Sequence, residues 1–518
     1  MAFLLHHLIR DSANSRPEAP ALLFRDKVLS YADLWGQVKK QAEALQKTGL
    51  QANQRVAIYL PKTPEAVIYT FAATLAQAVF VPINPALKAA QVEHILGDCD
   101  AAWLVTTRAR ADLLAEALQN NPHLQLWLVD TPAGDTPAGP QIQRASQTSA
   151  QGDVSAQRVD ADMAAILYTS GSTGFPKGVV LTHGNLLAGA RSVASYLSNA
   201  SSDRLLAILP LSFDYGLSQV TSAFQVGAAV ILLDYLLPRD VIRAVTRYAV
   251  TGVAAVPALW NQLATLDWPP QARQSLRYIT NSGGAMPVST TRKLRAELPA
   301  TQIFLMYGLT EAFRSTYLDP AETDKRPESI GKPIPNAEVL VVRPDGSACS
   351  ANETGEFVHR GALVAKGYWN DPEKTKRRFR PAPGQPEELP NAEIAVWSGD
   401  YGYRDKQGFL YFVGRQDEMI KISGYRVSPT EIEAATLDVS GVEQAVALGI
   451  PHPTQGQGIV LLIQGDCAAE TIARHCQQQL PQYMMPAHIE VREALPVTPN
   501  DKIDRQKLRQ EYLGQFQP

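Results

Sequence analysis

The segment Tyr168-Thr169-Ser170-Gly171-Ser172-Thr173-Gly174-Phe175-Pro176-Lys177-Gly178 gathers glycines, hydroxyls and a lysine without apolar periodicity. Backbone N–H groups, hydroxyls and an ammonium are the donors that polyphosphate oxygens accept from, which makes this stretch a candidate phosphate loop. It is not a Walker loop, because Lys177 is followed by Gly178 and not by a serine or threonine that could face magnesium. Its composition alone suits an exposed surface loop equally well.

Further segments carry chemistry. Asn281-Ser282-Gly283-Gly284-Ala285 has so little side chain that a flat ring could approach its backbone, or the chain could simply turn tightly there. Tyr307-Gly308-Leu309-Thr310-Glu311 follows an apolar run, and its one carboxylate suits magnesium shared with phosphate oxygens, or a helix start. In Ser398-Gly399-Asp400 the carboxylate can accept two ribose hydroxyls or close a turn. Asp214, in Pro210-Leu211-Ser212-Phe213-Asp214-Tyr215-Gly216, sits in apolar surroundings. A carboxylate there needs a cationic partner, such as a substrate ammonium, unless it caps the next helix.

The elements that must position these groups are legible in the pattern. Ser30 with Asp33 reads as a capping box, followed by Leu34, Val38, Ala42 and Leu45 on one helical face as far as Gly49. Short apolar strands at 56–60, 79–83, 103–105 and 126–129 alternate with helical stretches such as 65–76, which predicts a parallel sheet covered on both faces. Residues 163–167 read as a buried strand, and Leu186, Ala190, Val193, Ala194 and Leu197 as a helix behind Gly184-Asn185, so the phosphate loop is expected to join strand to helix. The alternation resumes at 205–209, 228–232, 253–256, 276–279 and 303–306 and predicts a second parallel sheet. From Ala337 onward short strands with turn signals predict antiparallel structure, then a small mixed C-terminal domain. Between Asp130 and Asp160 a Pro, Gly, Ser, Thr and Gln-rich stretch reads as a tolerant surface loop.

Composition limits the function classes. The chain has 518 residues, enough for a large core and more than one domain, and a net charge of −3, which leaves no basic footprint for nucleic acid. Its four cysteines contain no Cys-x-x-Cys pair and read as reduced thiols. The apolar start, Phe3-Leu4-Leu5, is soon interrupted by Arg10 and Asp11, and the run 226–237 is too short to span a bilayer. A cytoplasmic protein without a membrane span is expected.

Taken in order, these segments resemble the adenylate-forming superfamily of acyl-CoA synthetases, peptide-synthetase adenylation domains and luciferases. The likeness is greatest to the AMP-forming acyl-CoA ligases of the exosortase A (PEP-CTERM) system. It is carried by Ser212-Phe213-Asp214-Tyr215-Gly216-Leu217, Asp234-Tyr235-Leu236-Leu237-Pro238-Arg239-Asp240, Tyr307 to Tyr317 and Ala395-Val396-Trp397-Ser398-Gly399-Asp400. The chain is also similar to freestanding ligases that load proline onto carrier proteins.

The resemblance implies an α/β fold with a large N-terminal domain, 1–416, of two parallel-type αβα sheets plus a distorted antiparallel β-barrel. A small mobile α+β domain, 417–518, would follow. ATP would lie on Thr169, Ser170, Gly171, Ser172, Thr173, Gly174 and Lys177, with Gly283, Gly284, Ala285, Tyr307 and Gly308 at adenine. Asp400 and Arg415 would meet the ribose, Thr310 and Arg426 the phosphate, and Glu311 would hold Mg2+. Asp417 would be the pivot, with Lys421 and Gly424 on the path of a phosphopantetheine arm. Lys502 would offset charge at the attacked α-phosphate, although Asp501 stands where the family usually has glycine.

Phe213-Asp214 resembles amino-acid adenylation domains, where the aspartate binds the substrate ammonium, and Tyr215, Trp260, Met306 and Arg314 are candidates for the rest of that pocket. The implied activity uses Mg-ATP to turn a carboxylic or amino acid into an acyl-adenylate and then joins it to a phosphopantetheine thiol, on coenzyme A or on a carrier protein. The alternatives are an amino acid–carrier protein ligase acting on a separate carrier chain, and a nucleotide sensor without chemistry.

Overall fold

Short apolar strands separated by amphipathic helices assemble into two large sheets and one small one. The computed structural model describes residues 2–130, 142–144, 158–169, 176–386, 388–415, 418–422, 425–453, 456–480, 482–499 and 502–516.

The first sheet has seven strands in the order Ile142–Arg144, Gln125–Leu128, Ala101–Thr106, Arg55–Tyr59, Val79–Pro82, Met163–Thr169 and Lys177–Thr182. Every pairing in it is parallel except the last. That exception corrects an expectation: the candidate phosphate loop joins two antiparallel strands, and the helix His183–Tyr196 comes only after the second. Val179, Val180 and Leu181 are buried and form that extra strand. Thr182, not Gly184, caps the helix, its Oγ1 accepting the Asn185 N–H at 3.0 Å while Asn185 Oδ1 accepts the Thr182 N–H at 2.9 Å.

The second sheet has 14 strands. Its parallel half runs through Pro20–Phe24, Ala229–Leu232, Arg204–Ala207, Gly252–Ala255, Tyr278–Asn281 and Gln302–Tyr307. The antiparallel strands beyond residue 316 do not close into a barrel among the described residues. They extend this sheet's edge, beginning where Thr316–Leu318 pairs with Gln302–Tyr307 and ending at Ala337–Val342. The strand Pro20–Phe24, which no sequence signal announced, joins the far side of the same sheet.

The helix Tyr31–Lys47 begins at the expected capping box, with Leu34, Val38, Ala42 and Leu45 buried. The C-terminal segment forms a five-stranded sheet around Val442–His452 and Gly456–Gly465. Alternate residues serve its two faces: Ala447, Leu461 and Ile463 pack with Ile432 and Ile472, whereas Val446, Val460 and Leu462 pack with Leu508 and Tyr512. No helix among the described residues is long and apolar enough to cross a membrane.

Lys62, just past the first-sheet strand Arg55–Tyr59, ties the two large sheets together. Its buried Nζ donates to the carbonyls of Ile208 (2.6 Å) and Leu233 (2.9 Å), which lie beyond second-sheet strands, and lies 3.3 Å from Asp234 Oδ1. Lys62→Met leaves both carbonyls without this donor and is expected to lower stability by about 1–3 kcal/mol. The urea midpoint would fall at unchanged slope; an unchanged midpoint would remove this role.

Candidate active site

Strand ends aim the candidate residues. Asn281 and Tyr307 are the last residues of adjacent parallel strands, and crevices at such carboxyl ends are where open α/β sheets take ligands. Just beyond, Gly283 has φ of +84°, and a Cβ there would stand 3.2 Å from Lys502 Cε. The Lys502 side chain thus reaches from the C-terminal segment onto the second sheet, with Nζ 4.9 Å from the Phe213 ring centroid. Asn84 Nδ2 donates to the Pro499 carbonyl at 3.1 Å and helps to seat the segment that carries this lysine. Burial lowers the Lys502 pKa, and the charges of Arg415 and Arg314 act the same way, while Asp214 opposes them.

Three groups meet at the other end of the site. Lys177 Nζ lies 2.9 Å from Glu311 Oε1 and 2.9 Å from the Tyr368 hydroxyl, which itself donates to Glu311 Oε1 at 2.6 Å. Burial would push the Glu311 pKa up, but the Lys177 charge and these hydrogen bonds hold it at about 2. An ionised carboxylate of this kind, beside Lys177, fits a magnesium ion that takes its remaining ligands from phosphate and water. Nearby, Thr169 Oγ1 is buried with no hydrogen-bond partner among the described residues. Thr310 is buried in the short turn that carries Glu311.

A third cluster surrounds Asp400. Tyr307 donates its hydroxyl to Asp400 Oδ2 at 2.5 Å, and Arg415 Nε lies 3.5 Å from Oδ1. Burial raises the Asp400 pKa against the pull of Arg415. The Tyr307 ring packs among Phe357, His359 and Phe412, with centroids 5.8 to 6.0 Å away.

Asp214 opens the helix Asp214–Val226, and its Oδ1 accepts the Tyr215 N–H at 2.8 Å. Its Oδ2 lies 3.6 Å from Arg314 Nη1, and both side chains are only 4% exposed. Burial raises the Asp214 pKa, opposed by the charges of Arg314 and Lys502. Trp260 is fully buried and spends its N–H on the carbonyls of Ala255 and Thr280, bracing two strand ends. Tyr215 binds Thr280 Oγ1 at 2.5 Å, and Met306 Sδ accepts the Tyr196 hydroxyl at 3.0 Å. Gly284 and Ala285 are exposed beyond their strand, and Gly308 lies against the backbone of Arg314.

Ser170, Gly171, Ser172, Thr173, Gly174, Asp417, Gly424 and Asp501 lie outside the described residues, as do the side chains of Lys421 and Arg426. The sequence does not single out Tyr368, since nothing marks it among 18 tyrosines except its place in Lys366-Gly367-Tyr368-Trp369. Nor does it single out His359, whose buried ring nitrogens have no hydrogen-bond partner among the described residues and whose pKa burial lowers to about 3.

The fold and the site define an α/β nucleotide-binding protein in which a C-terminal lysine completes the crevice. The chain belongs to the AMP-binding enzyme family, which matches residues 9–369, with the AMP-binding enzyme C-terminal domain at residues 431–502. This places it in the adenylate-forming superfamily. It is 29% identical to the L-proline–[L-prolyl-carrier protein] ligase of Pseudomonas fluorescens over 99% of this chain and 100% of that one. It is 30% identical to the feruloyl-CoA synthase of an Amycolatopsis species, covering 96% and 97% of the two chains. A solved o-succinylbenzoate CoA synthetase of Bacillus subtilis, in complex with its acyl-adenylate intermediate, superposes with a TM-score of 0.83 at 26% identity, covering 97% of each chain. The chain also matches a linear gramicidin synthase of Brevibacillus parabrevis at 30% identity over 97% of its own length, but spans only 6% of that much longer protein.

The Lys177–Glu311 pair sets a pH dependence. A carboxylate held at about 2 against an ordinary 4.5 contributes stability that is full above 4.5 and is lost as pH falls toward 2. Lys177→Met is therefore expected to lower stability by about 1–3 kcal/mol at pH 7. The deficit should shrink as pH falls, because burial pushes up the pKa of Glu311 left without Lys177, which then takes up its proton at a higher pH than in the parent. Urea midpoints at several pH values read this, and a deficit independent of pH would count against the pairing.

Proposed function

We propose that the protein is an AMP-forming acid–thiol ligase of the acyl-CoA ligase type. In the first step a carboxylate oxygen attacks the α-phosphorus of ATP, the bond to the bridging oxygen breaks, and pyrophosphate leaves with that electron pair. In the second a thiolate sulfur attacks the acyl carbon, the bond to the adenylate oxygen breaks, and AMP leaves. The observation that carries this reading is the half-buried Lys502 side chain beside Gly283 and Phe213, together with a second cationic group, Lys177, on Glu311.

Each residue then has a task. Lys502 offsets charge that builds between the carboxylate and the α-phosphate, an effect strengthened where water is excluded. Lys177 and the phosphate loop hold the β- and γ-phosphates, and Thr310 donates to the α-phosphate. Glu311 would hold Mg2+, which supplies positive charge to the leaving pyrophosphate. Asp400 and Arg415 take the ribose, and Tyr307 the adenine. Asp214, buried beside Arg314 and within the field of Lys502, takes the ammonium of an amino-acid substrate. For the second step residues 417–518 turn about Asp417, withdrawing Lys502 and bringing Lys421 and Gly424 to the phosphopantetheine arm, while Arg426 serves the first.

The thiol acceptor is coenzyme A, in the cytoplasm of a bacterium with an exosortase A system, a setting supported by the shared segments around Asp214, Asp234, Tyr307 and Trp397. The second reading, a ligase for a separate carrier protein, is favoured by the full-length match to the prolyl-carrier protein ligase.

Acid-dependent exchange of pyrophosphate into ATP tests the first step. Lys502→Ala is expected to slow exchange by ~10²–10³-fold while thioester formation from supplied acyl-adenylate survives. The exchange rate should also fall with rising pH below the ordinary lysine range, because burial lowers the Lys502 pKa and the charged form is the active one. No exchange with any acid would leave only a nucleotide sensor. Thioester on coenzyme A but never on a carrier would exclude the second reading.

A further inference from the structure

The buried guanidinium of Arg314 has more donors than the protein satisfies. Its Nη2 is buried without a hydrogen-bond partner among the described residues. Its ion pair, Nη1 to Asp214 Oδ2, measures 3.6 Å, longer than the roughly 2.7–2.9 Å typical of a charge-assisted hydrogen bond. It also lies near the ring faces of Tyr215 at 4.7 Å and Phe313 at 5.8 Å. Adjacent in the chain, Ser315 Oγ is buried and also lacks a partner among the described residues.

The backbone is strained to place this residue. Phe313 is fully buried with φ of +53°, a conformation that costs an ordinary side chain on the order of 1–3 kcal/mol. The surrounding structure enforces it: a Cβ on Gly189 of the packed helix would lie 2.4 Å from the Phe313 ring, so glycine is needed there for the ring to seat. Strain and an unsatisfied buried cation in consecutive residues point to a ligand group.

We propose that Arg314 is a specificity-determining residue that receives the side-chain carboxylate of an acidic amino acid, the ammonium of which docks on Asp214 Oδ2. The inference rests on the ligase reading and on Asp214 as the ammonium site. An ammonium entering beside Oδ2 satisfies the aspartate better than the long contact to Arg314 does, and frees the guanidinium to turn to a planar acceptor it can bind with two N–H groups. Charges then balance in the pocket: Lys502, Arg314 and the ammonium face Asp214, the reacting carboxylate and the side-chain carboxylate. A substrate with an apolar side chain leaves the guanidinium as unsatisfied as it is now, at the cost of burying an unpaired donor.

Exchange of pyrophosphate into ATP, run with aspartate, glutamate and 2-aminoadipate against their amides, alanine, leucine, proline, butyrate and glutarate, tests this. An acidic amino acid is expected to exceed the apolar amino acids in kcat/KM by ~10²-fold or more, since a site built around a polar group rejects analogues that lack it. Arg314→Met should raise KM for that acid by a similar factor with kcat less affected, and Arg314→Lys should recover part of the loss. ATP-induced thermal stabilisation equal to the parent's shows that the variants fold. Preference for apolar acids in the parent, or an equal loss with every acid in Arg314→Met, would overturn the inference and leave the ligase reading intact. Absence of exchange with every acid would overturn both.

Discussion

Charges held out of water have to be offset by other charges, and the interior of this protein is arranged around that requirement. Lys502 is half-buried at the carboxyl ends of two parallel strands, where Asp214 offsets part of its cost and Arg314 adds to it. Lys177 meets the same requirement with Glu311 and Tyr368. In the proposed ligase, a phosphate or carboxylate oxygen of the ligand would complete the pairing of each cation. A site that is electrostatically unfinished without its ligand acquires affinity for anions from the folding energy of the scaffold.

The scaffold must be stiff enough to hold such groups together, and its joints are polar. Lys62 ties the first sheet to carbonyls beyond two strands of the second, and the chain beyond one of them leads into the loop that carries Ser212, Phe213 and Asp214. Ser212 lines a cavity of about 400 Å³ between the sheets, with Ile58, Lys62, Pro85, Ile208 and Leu211. The C-terminal segment has its own apolar clusters on both faces of its sheet and touches the rest through hydrogen bonds such as Asn84 to Pro499 and Asn261 to Glu443. That division would suit the proposed movement of the C-terminal segment, in which Lys502 enters the site for the first step and leaves it for the second.

Most of the fold was legible because its signals are local. The capping box at Ser30, the strand–helix alternation and the turn signals after Ala337 each act within a few residues, and the structure contains the helix, the two sheets and the antiparallel strands they announce. The differences arise where two local patterns overlap or where partners lie far apart. Val179 to Leu181 is hidden between the lysine of the phosphate loop and a helix, so the pattern suggests a direct strand-to-helix passage where the chain forms a hairpin. The family resemblance implies a barrel, but pairing of Thr316–Leu318 with Gln302–Tyr307 makes the antiparallel strands one edge of the larger sheet.

By itself the order of residues determined which chemical groups this protein possesses and the class of ligand they suit, since glycine, hydroxyl, carboxylate and lysine segments carry their chemistry in short stretches. It also determined the elements, since periodicity and caps are local. Tertiary structure alone decided which groups face one another: Tyr368 with Glu311, Tyr307 with Asp400, and Arg314 with Asp214 across roughly 100 residues of chain. Such pairs are set by the packing of strand ends and by the cost of leaving a buried charge alone. Neither is written in the spacing of a sequence.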